Sequence, residues 1–412
     1  MSGYLSTGKK SECLGCEACV QVCGHKALKM EEDHEGFRYP ILDSQKCVSC
    51  GLCNRVCPIE NPTELNDATQ SAFGGYIKDS RLREESTSGG AFSAIVEAWC
   101  KNDYVIFGAK AYGLEVRHEF ITDKKQLSVF RKSKYTQSRI GNSYADACKF
   151  LKEGKNVLFS GTPCHIAGLM KYLSLFRAPT EKLLTVEVVC EGVPSPLYIR
   201  KMNESFSKNG FHLVSLDYRY KDGRRWDFEV MKADLQKKGN DSGAASRIFK
   251  TDRWFNPFWS IWLDHLISRP SCYECPYARQ QRGADITLGD LWGVHLYCPE
   301  LYGKNGGSSL AVCNTNKGRE AFALGERLMT GHELAMSDAL KYQSPMRKPI
   351  PMNPHRKECT DDLANPQISY TDFNAKWGKK PTLKLLFQKY VYGNRQKVLL
   401  WNLRRRIKEI FS

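Results

Sequence analysis

The chain has 412 residues, 42% of them hydrophobic, so it is long enough for more than one folded domain and too apolar to be largely disordered. It has no apolar run of about eighteen residues, which excludes a membrane-spanning helix, and no apolar segment near its start that would be typical of a secretory signal. Lys and Arg exceed Asp and Glu by 16. A solvated surface is one interpretation of this balance, and an acidic redox partner, an anionic membrane face and nucleic acid are the others. We expect a cytoplasmic protein, whose seventeen cysteines then indicate metal binding rather than disulfides.

The first 60 residues contain one cysteine pattern twice. Each copy has the spacing C-x2-C-x2-C-x3-C, the second copy follows 34 residues after the first, and Pro58 comes directly after it. In bacterial ferredoxins with this spacing, the fourth cysteine of each run binds the cluster of the other run. We therefore predict a 2[4Fe–4S] ferredoxin-like domain over residues 1–62. One cluster is expected on Cys13, Cys16, Cys19 and Cys57, and the other on Cys23, Cys47, Cys50 and Cys53.

Two zinc sites are the alternative for these eight cysteines. Structural zinc sites usually combine two separated C-x2-C pairs or mix Cys with His, so the spacing favours clusters. Gly24 stands where proline commonly follows the first run, which changes a turn but removes no ligand.

After a polar linker at 59–71, strand and helix patterns alternate. Strands are predicted at 76–77, 104–109, 157–159 and 184–189, and helices at 91–99, 143–151 and 166–173. This alternation predicts a partly parallel sheet with crossover helices, whereas residues 213–253 show no clear pattern. The predicted fold class is α+β. It comprises the ferredoxin-like domain, a larger mixed α/β domain over 72–360 and a basic helical tail over 361–412.

A second set of four cysteines lies in the larger domain. Cys164 and Cys190 each follow the end of an apolar strand, and Cys272 and Cys275 form a C-x2-C pair. Because parallel strands present their carboxyl ends at one edge of a sheet, we expect Cys164 and Cys190 to meet there. With Cys272 and Cys275 they predict a third [4Fe–4S] cluster, with zinc as the alternative. The remaining cysteines, Cys100, Cys148, Cys298, Cys313 and Cys359, are expected to be ordinary thiols.

Four motifs in this domain carry a family resemblance. They are Gly161-Thr162-Pro163-Cys164, Gly192-Val193-Pro194-Ser195, Cys272-x-x-Cys275 and Ala284-Asp285-Ile286-Thr287-x-Gly289-Asp290-x-Trp292-Gly293. Over residues 72–330 the chain resembles the coenzyme F420 hydrogenase/dehydrogenase beta subunit family, in which a ferredoxin-like segment is a common N-terminal extension. The resemblance implies an FAD-containing oxidoreductase domain with its own [4Fe–4S] cluster beside the flavin. The chain departs from the common pattern at His165, where glutamine is usual, and at Glu191, where histidine is frequent.

Two polar segments are candidates for holding a flavin. Thr87, Ser88, Gly89 and Gly90 directly precede the helix at 91, where glycines and unpaired amide groups allow close approach of a phosphate; a simple helix cap is the alternative. The resemblance implies that this turn, and the loop that carries Lys134, Tyr135 and Gln137, lie near the flavin; a solvated turn is the alternative for the loop. Asp285, Asp290 and Trp292 are expected near the third cluster, with Asp290 and Trp292 as cofactor-binding residues, although Trp292 also suits a core.

These features predict an oxidoreductase that passes electrons between a ferredoxin-like carrier and a substrate through three [4Fe–4S] clusters and FAD. A non-catalytic relay subunit of a larger redox complex is the alternative. The sequence leaves the substrate, the catalytic residues and the direction of electron flow open.

The tail is strongly basic, with eleven Lys and Arg residues and two acidic residues over 370–412. Its apolar residues recur at helical spacing, with basic residues between them: Leu399, Leu400, Leu403, Ile407, Ile410 and Phe411, against Arg404, Arg405, Arg406 and Lys408. Such a helix suits docking on the protein's own core, peripheral contact with an anionic membrane on the cytoplasmic face, or docking of an acidic carrier such as ferredoxin. Nucleic-acid binding is not expected, because the tail lacks a recognisable reading module.

Overall fold

The computed structural model describes residues 3–62, 65–66, 69–223, 226, 229–239, 247–302 and 306–411. The chain begins with a small domain built around a two-stranded antiparallel hairpin. Its helices are α1 (Tyr4–Thr7), α2 (Ala18–Gln21) and α3 (Leu52–Arg55), and its strands are β1 (Leu28–Glu32) and β2 (Arg38–Leu42). The short elements leave most of this domain as loops, and these loops carry the cysteines.

The backbone of the small domain repeats with the cysteine pattern. Gly15 and Ser49 have φ values of 70° and 53°, and Glu17 and Gly51 have values of 62° and 74°. Members of each pair lie 34 positions apart, which is the spacing of the two cysteine runs. The left-handed residues turn each loop sharply just before its short helix, so both runs wrap in the same way.

The larger domain is built on an eight-stranded mixed sheet of order β13-β3-β12-β11-β7-β6-β4-β5. Its strands are β3 (Ser71–Ile77), β4 (Tyr104–Tyr112), β5 (Glu115–Ile121), β6 (Asn156–Gly161), β7 (Leu183–Val188), β11 (Ile286–Asp290), β12 (Ser309–Cys313) and β13 (Met329–Leu334). Strands β4, β6, β7 and β11 run parallel, and the others pair antiparallel. The predicted partly parallel sheet is therefore confirmed.

Helices cover both faces of this sheet. They are α4 (Ser80–Glu84), α5 (Ala91–Trp99), α6 (Ser143–Lys152), α7 (Pro163–Leu175), α10 (Val294–Tyr297), α11 (Asn316–Glu326) and α12 (Met336–Lys341). Alternate residues of each strand enter opposite cores: Leu158 packs with α5 and α11, whereas Val157 and Phe159 pack with α6 and α7. The second core also contains Ala18 and Val56, so the small domain packs against the α6 and α7 layer.

The segment 213–253 showed no clear pattern in the sequence, but its described residues include strands of a second sheet. Strands β8 (Phe211–Tyr220), β9 (Val230–Lys237) and β10 (Arg247–Thr251) form an antiparallel sheet of order β10-β9-β8. This sheet shares a core with α8 (Leu197–Lys208), α9 (Pro257–Leu263), α13 (Arg356–Ala364) and α14 (Tyr370–Trp377).

The boundary expected at residue 361 falls inside α13. Leu363 and Phe373 are buried in the same core as β8 and β9, so the larger domain continues through α14. The basic tail consists of α15 (Leu383–Leu386), a π-helical turn (Phe387–Val391) and α16 (Asn394–Phe411). None of the helices in the described part of the chain is long and apolar enough to cross a membrane.

Candidate iron–sulfur and cofactor site

The loops of the small domain bring the expected ligands of the first cluster together. Cys13, Cys16, Cys19 and Cys57 line one small cavity, together with Cys53. Burial raises the pKa of Cys16 well above its usual range, and the neighbouring Cys57 and Cys13 thiols act in the same direction. A cation removes this mutual repulsion, because metal ligands bind as thiolates.

The expected ligands of the second cluster lie nearer the surface. Burial raises the pKa of Cys53, with Cys50 and Cys47 close enough to act in the same direction. The backbone N–H of Ala27 donates to Cys23 Sγ at 3.3 Å, and that of Ser49 donates to Cys47 Sγ at 3.4 Å. Hydrogen bonds of this kind stabilise cluster sulfur ligands.

Cys164, Cys190, Cys272 and Cys275 converge at the carboxyl edge of the large sheet. Cys164 opens α7 after β6, Cys190 follows β7, and the C-x2-C pair lies at a 3₁₀ turn (Pro270–Glu274). Burial raises the pKa of Cys190 well above its usual range, and the thiols of the other three act in the same direction. Burial likewise raises the pKa of Cys272 to about 12 and that of Cys164 to about 11, each with Cys275 as a neighbour.

The two cysteine sets of the first and third sites meet across helix α7. Gly168 follows Cys164 by one helical turn, and a Cβ atom placed on Gly168 would lie 3.3 Å from Cys16 Sγ. Cys16 and Cys164 are close enough for their charges to interact. Glycine at 168 therefore permits the approach of the small domain to the third set of cysteines.

A cavity of about 660 Å³ opens beside the four-cysteine set, within the size range of ligand sites. Cys164 and Cys190 line it, as do eight of the nine residues predicted to hold the flavin: Thr87, Ser88, Gly90, Lys134, Tyr135, Gln137, Asp290 and Trp292. Gly89 does not line it. A Cβ atom on Gly89 would lie 2.5 Å from Gly75 O and from Ser309 N, so Gly89 instead lets the turn pack on β3 and β12.

Several of these predicted side chains already bond the protein itself. Ser133 N–H donates to Thr87 Oγ1 at 2.8 Å, and Ser88 Oγ donates to Ser308 O at 2.6 Å. Lys134 Nζ donates to the carbonyl groups of three preceding residues, and burial lowers its pKa to about 8. These side chains shape the cavity wall, while the amino terminus of α5 supplies backbone N–H groups at Phe92 and Ser93; the N–H of Ala91 donates to Ser309 Oγ.

Gln137 points toward the small domain. Its Nε2 donates to Leu14 O at 3.1 Å and to Gly15 O at 3.3 Å, and its Oε1 accepts from Arg269 at 2.9 Å. The sequence did not indicate this contact, because it joins residues about 120 positions apart.

Asp285 does not lie at the position that the sequence predicts. It was expected near the third cluster, but its carboxylate accepts hydrogen bonds from Thr185 N at 2.9 Å and from the hydroxyl groups of Thr185 and Thr315 at 2.8 Å. Since β7 and β11 run parallel, Asp285 and Thr185 lie at the amino end of the sheet, away from Cys190. Asp290, at the other end of β11, does line the cavity.

Sequence reasoning missed Arg219 of β8, which lines the cavity between two tryptophans. Its guanidinium lies 5.0 Å from the Trp226 ring centroid and 5.4 Å from that of Trp292, and its Nη1 donates to Asp290 at 2.9 Å. The side chain is 3% exposed, and Glu229 pairs with it at 3.3 Å. The sequence contains one indication of a strand at Arg219, which is the alternation of Tyr218, Arg219 and Tyr220. Two irregularities in the strand pairing of β8 obscure this alternation.

The cavity wall also contains buried polar atoms that have no partner among the described residues. These are both ring nitrogens of His165, Nε and Nη2 of Arg219, and the indole nitrogens of Trp259 and Trp262. His165 packs edge-on against His118, whose Nε2 donates to Ser160 O and whose Nδ1 lies 2.7 Å from Ser138 Oγ. Burial lowers the pKa of both histidines, to about 4 for His118. Unpaired buried groups are costly, so a polar ligand in this cavity would satisfy atoms that the protein leaves open.

Much of the apolar face of the tail helix is exposed among the side chains that the structure describes. Leu399, Leu400, Leu403, Ile407 and Ile410 are 45–75% exposed, and Arg404 and Arg406 are exposed beside them. Helix α16 contacts α10, while Val398 and Trp401 are only partly exposed. The side chains of Arg405, Lys408 and Phe411 lie outside the described residues. The expected docking of this face on the protein's own core is therefore not observed for the described side chains.

Comparison with known proteins matches both domains. The family of the C-terminal region of the coenzyme F420 hydrogenase/dehydrogenase beta subunit matches residues 154–330, and a family described as "4Fe-4S dicluster domain" matches residues 12–61. Ferredoxin-3 of a Nostoc species is 32% identical over 73 residues, which is 13% of this chain and 75% of that protein. An uncharacterized polyferredoxin-like protein of Methanocaldococcus jannaschii is 33% identical over 55 residues, which is 11% of this chain and 33% of that protein.

Among solved structures, the chain is similar to one from the F420-reducing [NiFe] hydrogenase complex of Methanosarcina barkeri. The TM-score is 0.40 at 15% identity, covering 77% of this chain and 92% of that one. The dicluster match at residues 12–61 agrees with the repeated cysteine loops of the small domain. The chain is an iron–sulfur electron-transfer protein that is related to the coenzyme F420 hydrogenase/dehydrogenase beta subunit over residues 154–330 and has a 4Fe–4S dicluster domain at residues 12–61.

Proposed function

We propose that this protein is an FAD- and iron–sulfur-dependent oxidoreductase that passes electrons between an acidic, ferredoxin-like carrier and a substrate. The observation that carries the proposal is the position of the four-cysteine set. Cys164 and Cys190 line the large cavity on one side, and Cys164 lies beside Cys16 of the small domain on the other. This arrangement supports an electron path from the dicluster domain, through a third cluster, to a cofactor in the cavity.

The four cysteines fit a third [4Fe–4S] cluster. They converge from three separate segments, and burial and their mutual repulsion disfavour four free thiolates without a cation. All four ligands are sulfur, and the cluster content of the small domain makes iron–sulfur the better candidate than zinc.

The cavity fits a flavin on independent grounds. Its unpaired His165, Arg219, Trp259 and Trp262 atoms can bond the polar groups of an isoalloxazine and a pyrophosphate, and the amino terminus of α5 suits a phosphate. A flavin exchanges one or two electrons and so joins one-electron clusters to two-electron substrates. In this reading Trp292 and Tyr135 supply apolar walls, and Asp290 holds Arg219 in place.

A relay subunit that hands electrons to a partner enzyme is the competing function. Anaerobic mixing of the dithionite-reduced protein with small two-electron acceptors separates the two. If the protein is an enzyme with an open cavity, small acceptors should oxidise its reduced flavin. If it is a relay with a sealed flavin, only its partner protein should oxidise the reduced flavin.

The cofactor content tests the proposal directly. Protein prepared anaerobically should contain about twelve irons and one FAD per chain, on four irons per cluster. Cys272→Ser should lower the iron content to about eight. Cys100→Ala is the matched control, because Cys100 is a buried thiol in the core on the other face of the sheet. An iron content near eight that Cys272→Ser does not change would refute the third cluster, and cluster-loaded protein without flavin would refute FAD.

We also propose that α16 contacts an anionic membrane surface. The exposed apolar face with Arg404 and Arg406 beside it supports this occupant, because lipid acyl chains and anionic headgroups complement the two sides of such a helix. The same basic surplus supports an acidic electron carrier as the soluble partner.

A further inference from the structure

Arg269 is the largest side chain that the fold buries almost completely, at 1% exposure. Its backbone belongs to the four-cysteine site. The N–H group of Arg269 donates to Val193 O at 2.9 Å, three residues after Cys190, and its carbonyl accepts from Cys272 N at 2.9 Å. Its main chain therefore joins the two segments that carry three of the four cysteines.

The side chain of Arg269 leaves that site and enters the dicluster domain. Its Nε donates to Cys13 O at 2.9 Å, its Nη2 donates to Arg38 O at 3.1 Å, and its Nη1 donates to Gln137 Oε1 at 2.9 Å. The Tyr39 ring lies 4.2 Å from the guanidinium carbon. A Cβ atom on Gly15 would lie 3.0 Å from that carbon, so the cysteine loop closes directly over the cation.

This cation has no carboxylate partner among the residues that the structure describes. Its hydrogen bonds to oxygen atoms go to neutral carbonyl and amide groups, although a buried charge is costly unless an opposite charge compensates it. The sulfur atoms of Cys13, Cys272 and Cys164 lie close enough to interact with it, as does the Tyr39 hydroxyl group. Cys13 belongs to the first cysteine set, and Cys272 and Cys164 belong to the third.

We propose that Arg269 is a shared counter-ion that raises the reduction potentials of the cluster on Cys13, Cys16, Cys19 and Cys57 and of the cluster on Cys164, Cys190, Cys272 and Cys275. The second half rests on the proposed third cluster, whereas the first half requires only the dicluster domain. Each reduction adds one electron and no atom, so a fixed positive charge stabilises the reduced state of both clusters. Arg269 is thus a positioning residue for electron transfer between the two domains.

The test is redox titration of fully loaded protein, followed by electron paramagnetic resonance. In Arg269→Gln, two clusters should show at least a tenfold lower ratio of reduced to oxidised form at a fixed potential. These are the cluster that includes Cys13 and the cluster that includes Cys272. For a one-electron couple that is a shift of about 59 mV. The cluster on Cys23, Cys47, Cys50 and Cys53 should titrate as in the parent protein and serves as an internal control. Arg269→Lys, which keeps the charge, should restore most of the shift.

A second variant covers the case in which Arg269→Gln loses its clusters. Gln137→Glu places a carboxylate where an amide now bonds the guanidinium, so it neutralises the cation without opening a cavity. It should lower the same two potentials. Unchanged potentials in an iron-complete variant, or equal shifts in all three clusters, would overturn the proposal. In a Cys272→Ser background, which lacks the proposed third cluster, Arg269→Gln should still lower the potential of the cluster that includes Cys13. This result would support the role of Arg269 even if the third cluster did not exist.

A separate observation concerns Cys298, Glu300 and His332, which the sequence analysis did not bring together. Cys298 Sγ lies 3.1 Å from His332 Nε2 and 3.3 Å from Glu300 Oε1, and the last two atoms are 3.6 Å apart. Cys298 is buried, while the other two side chains are about half exposed at the edge formed by β13. All three ligand atoms fall within 4.8 Å of one another.

These separations fit one tetrahedral ion. Zinc bound to one sulfur, one nitrogen and one oxygen at its usual bond lengths of about 2.0 to 2.3 Å would hold the ligand atoms roughly 3.3 to 3.6 Å apart. We infer that Cys298, Glu300 and His332 form a zinc site with water as the fourth ligand. It is independent of the iron–sulfur clusters and ties the segment after α10 to strand β13.

Zinc content and X-ray absorption of cluster-loaded protein, equilibrated with zinc sulfate and desalted, test this site. One zinc per chain is expected, with one sulfur and three nitrogen or oxygen neighbours. Cys298→Ser and His332→Gln should each lose it without losing iron, whereas Cys313→Ser, a buried thiol elsewhere in the sheet, should keep it. Absence of bound zinc, coordination by four sulfurs, or zinc retained in Cys298→Ser would overturn the assignment.

Discussion

Val188 offers a way to block the cavity without disturbing the core. It ends β7, lines the cavity and is 44% exposed, unlike the predicted turn residue Gly89, whose replacement would collide with the backbone of β3 and β12. We expect Val188→Trp to reduce bound flavin at least tenfold while the iron content stays unchanged, because the indole fills space that the cofactor needs. Flavin and iron analysis of purified protein measures both.

Val391→Trp is the control for this substitution, since Val391 is also an exposed valine but lies in the tail. Normal flavin content in Val188→Trp would mean that the cofactor lies elsewhere.

His165 permits a prediction in which stability and binding change in opposite directions. Both of its ring nitrogens are buried and lack partners among the described residues, which costs about 1–3 kcal/mol in the protein without a ligand. His165→Leu should therefore raise the unfolding temperature of flavin-free protein and weaken flavin binding. Thermal unfolding and flavin titration measure the two effects.

His118 provides the contrast, because its ring nitrogens both have partners, Ser138 and Ser160. His118→Leu should lower the unfolding temperature of the same flavin-free protein. If His165→Leu also lowered the unfolding temperature, the unpaired ring nitrogens of His165 would not be a net cost to the stability of the flavin-free protein.

At the scale of elements, helix α16 gives the next prediction. Binding to anionic vesicles should depend on both faces of the helix. Replacing Arg404 and Arg406 with Gln removes about 2 kcal/mol, or roughly 30-fold in partitioning, since each basic residue near such a surface contributes about 1 kcal/mol. Leu403→Glu should abolish binding, because a charge then enters the apolar face.

The matched control replaces Lys149 and Lys152 of α6 with Gln, which removes the same charge from a helix without this exposed apolar face. Co-sedimentation with phosphatidylserine vesicles at low and high salt measures partitioning. Equal binding to neutral vesicles would contradict an electrostatic contribution from Arg404 and Arg406. No binding to either kind of vesicle would contradict membrane contact and favour a protein partner for α16.

Local patterns predicted the central elements well. Helix α5 was predicted at its observed bounds, and β6, α7 and β7 were found because their apolar residues follow strand and helix periods. Strands β8 to β10 were missed. Two irregularities interrupt the pairing of β8 with β9, and Arg219, a polar residue of β8, lines the cavity. The end of α13 and all of α14 were assigned to the tail on their basic composition, although Leu363 and Phe373 are buried in the core of the larger domain.

The candidate site shows the same limit. The cysteine sets could be recognised by motif, and eight of the nine residues predicted to bind a cofactor do line the cavity, because each motif is local. The contacts of Arg269, Gln137 and Arg219 could not, because they join distant segments through side-chain geometry that no spacing records.

At the scale of the whole molecule, the dicluster domain is fixed to the larger domain by polar contacts as well as by its core. Glu35 bonds Arg356 at 2.5 and 3.2 Å with both side chains about 90% buried, and Ser195 Oγ donates to Glu35 O at 2.6 Å. Glu32 pairs with Arg200 across the same interface, but there both side chains are at least one-third exposed. Burial is therefore the main difference between two otherwise similar ion pairs.

This difference yields a matched comparison of the two pairs. Glu35→Gln leaves the buried Arg356 uncompensated and should lower the free energy of unfolding by about 3–5 kcal/mol, whereas Glu32→Gln should cost at most about 1 kcal/mol. The proposed electron path requires Cys16 and Cys164 to stay close, so loosened docking should also slow flavin reduction by dithionite-reduced clusters in Glu35→Gln alone. Urea unfolding of loaded protein and stopped-flow absorbance measure these effects. Equal losses in both variants would show that burial does not govern this interface, and a destabilised Glu35→Gln with unchanged flavin reduction would show that docking does not control the electron path.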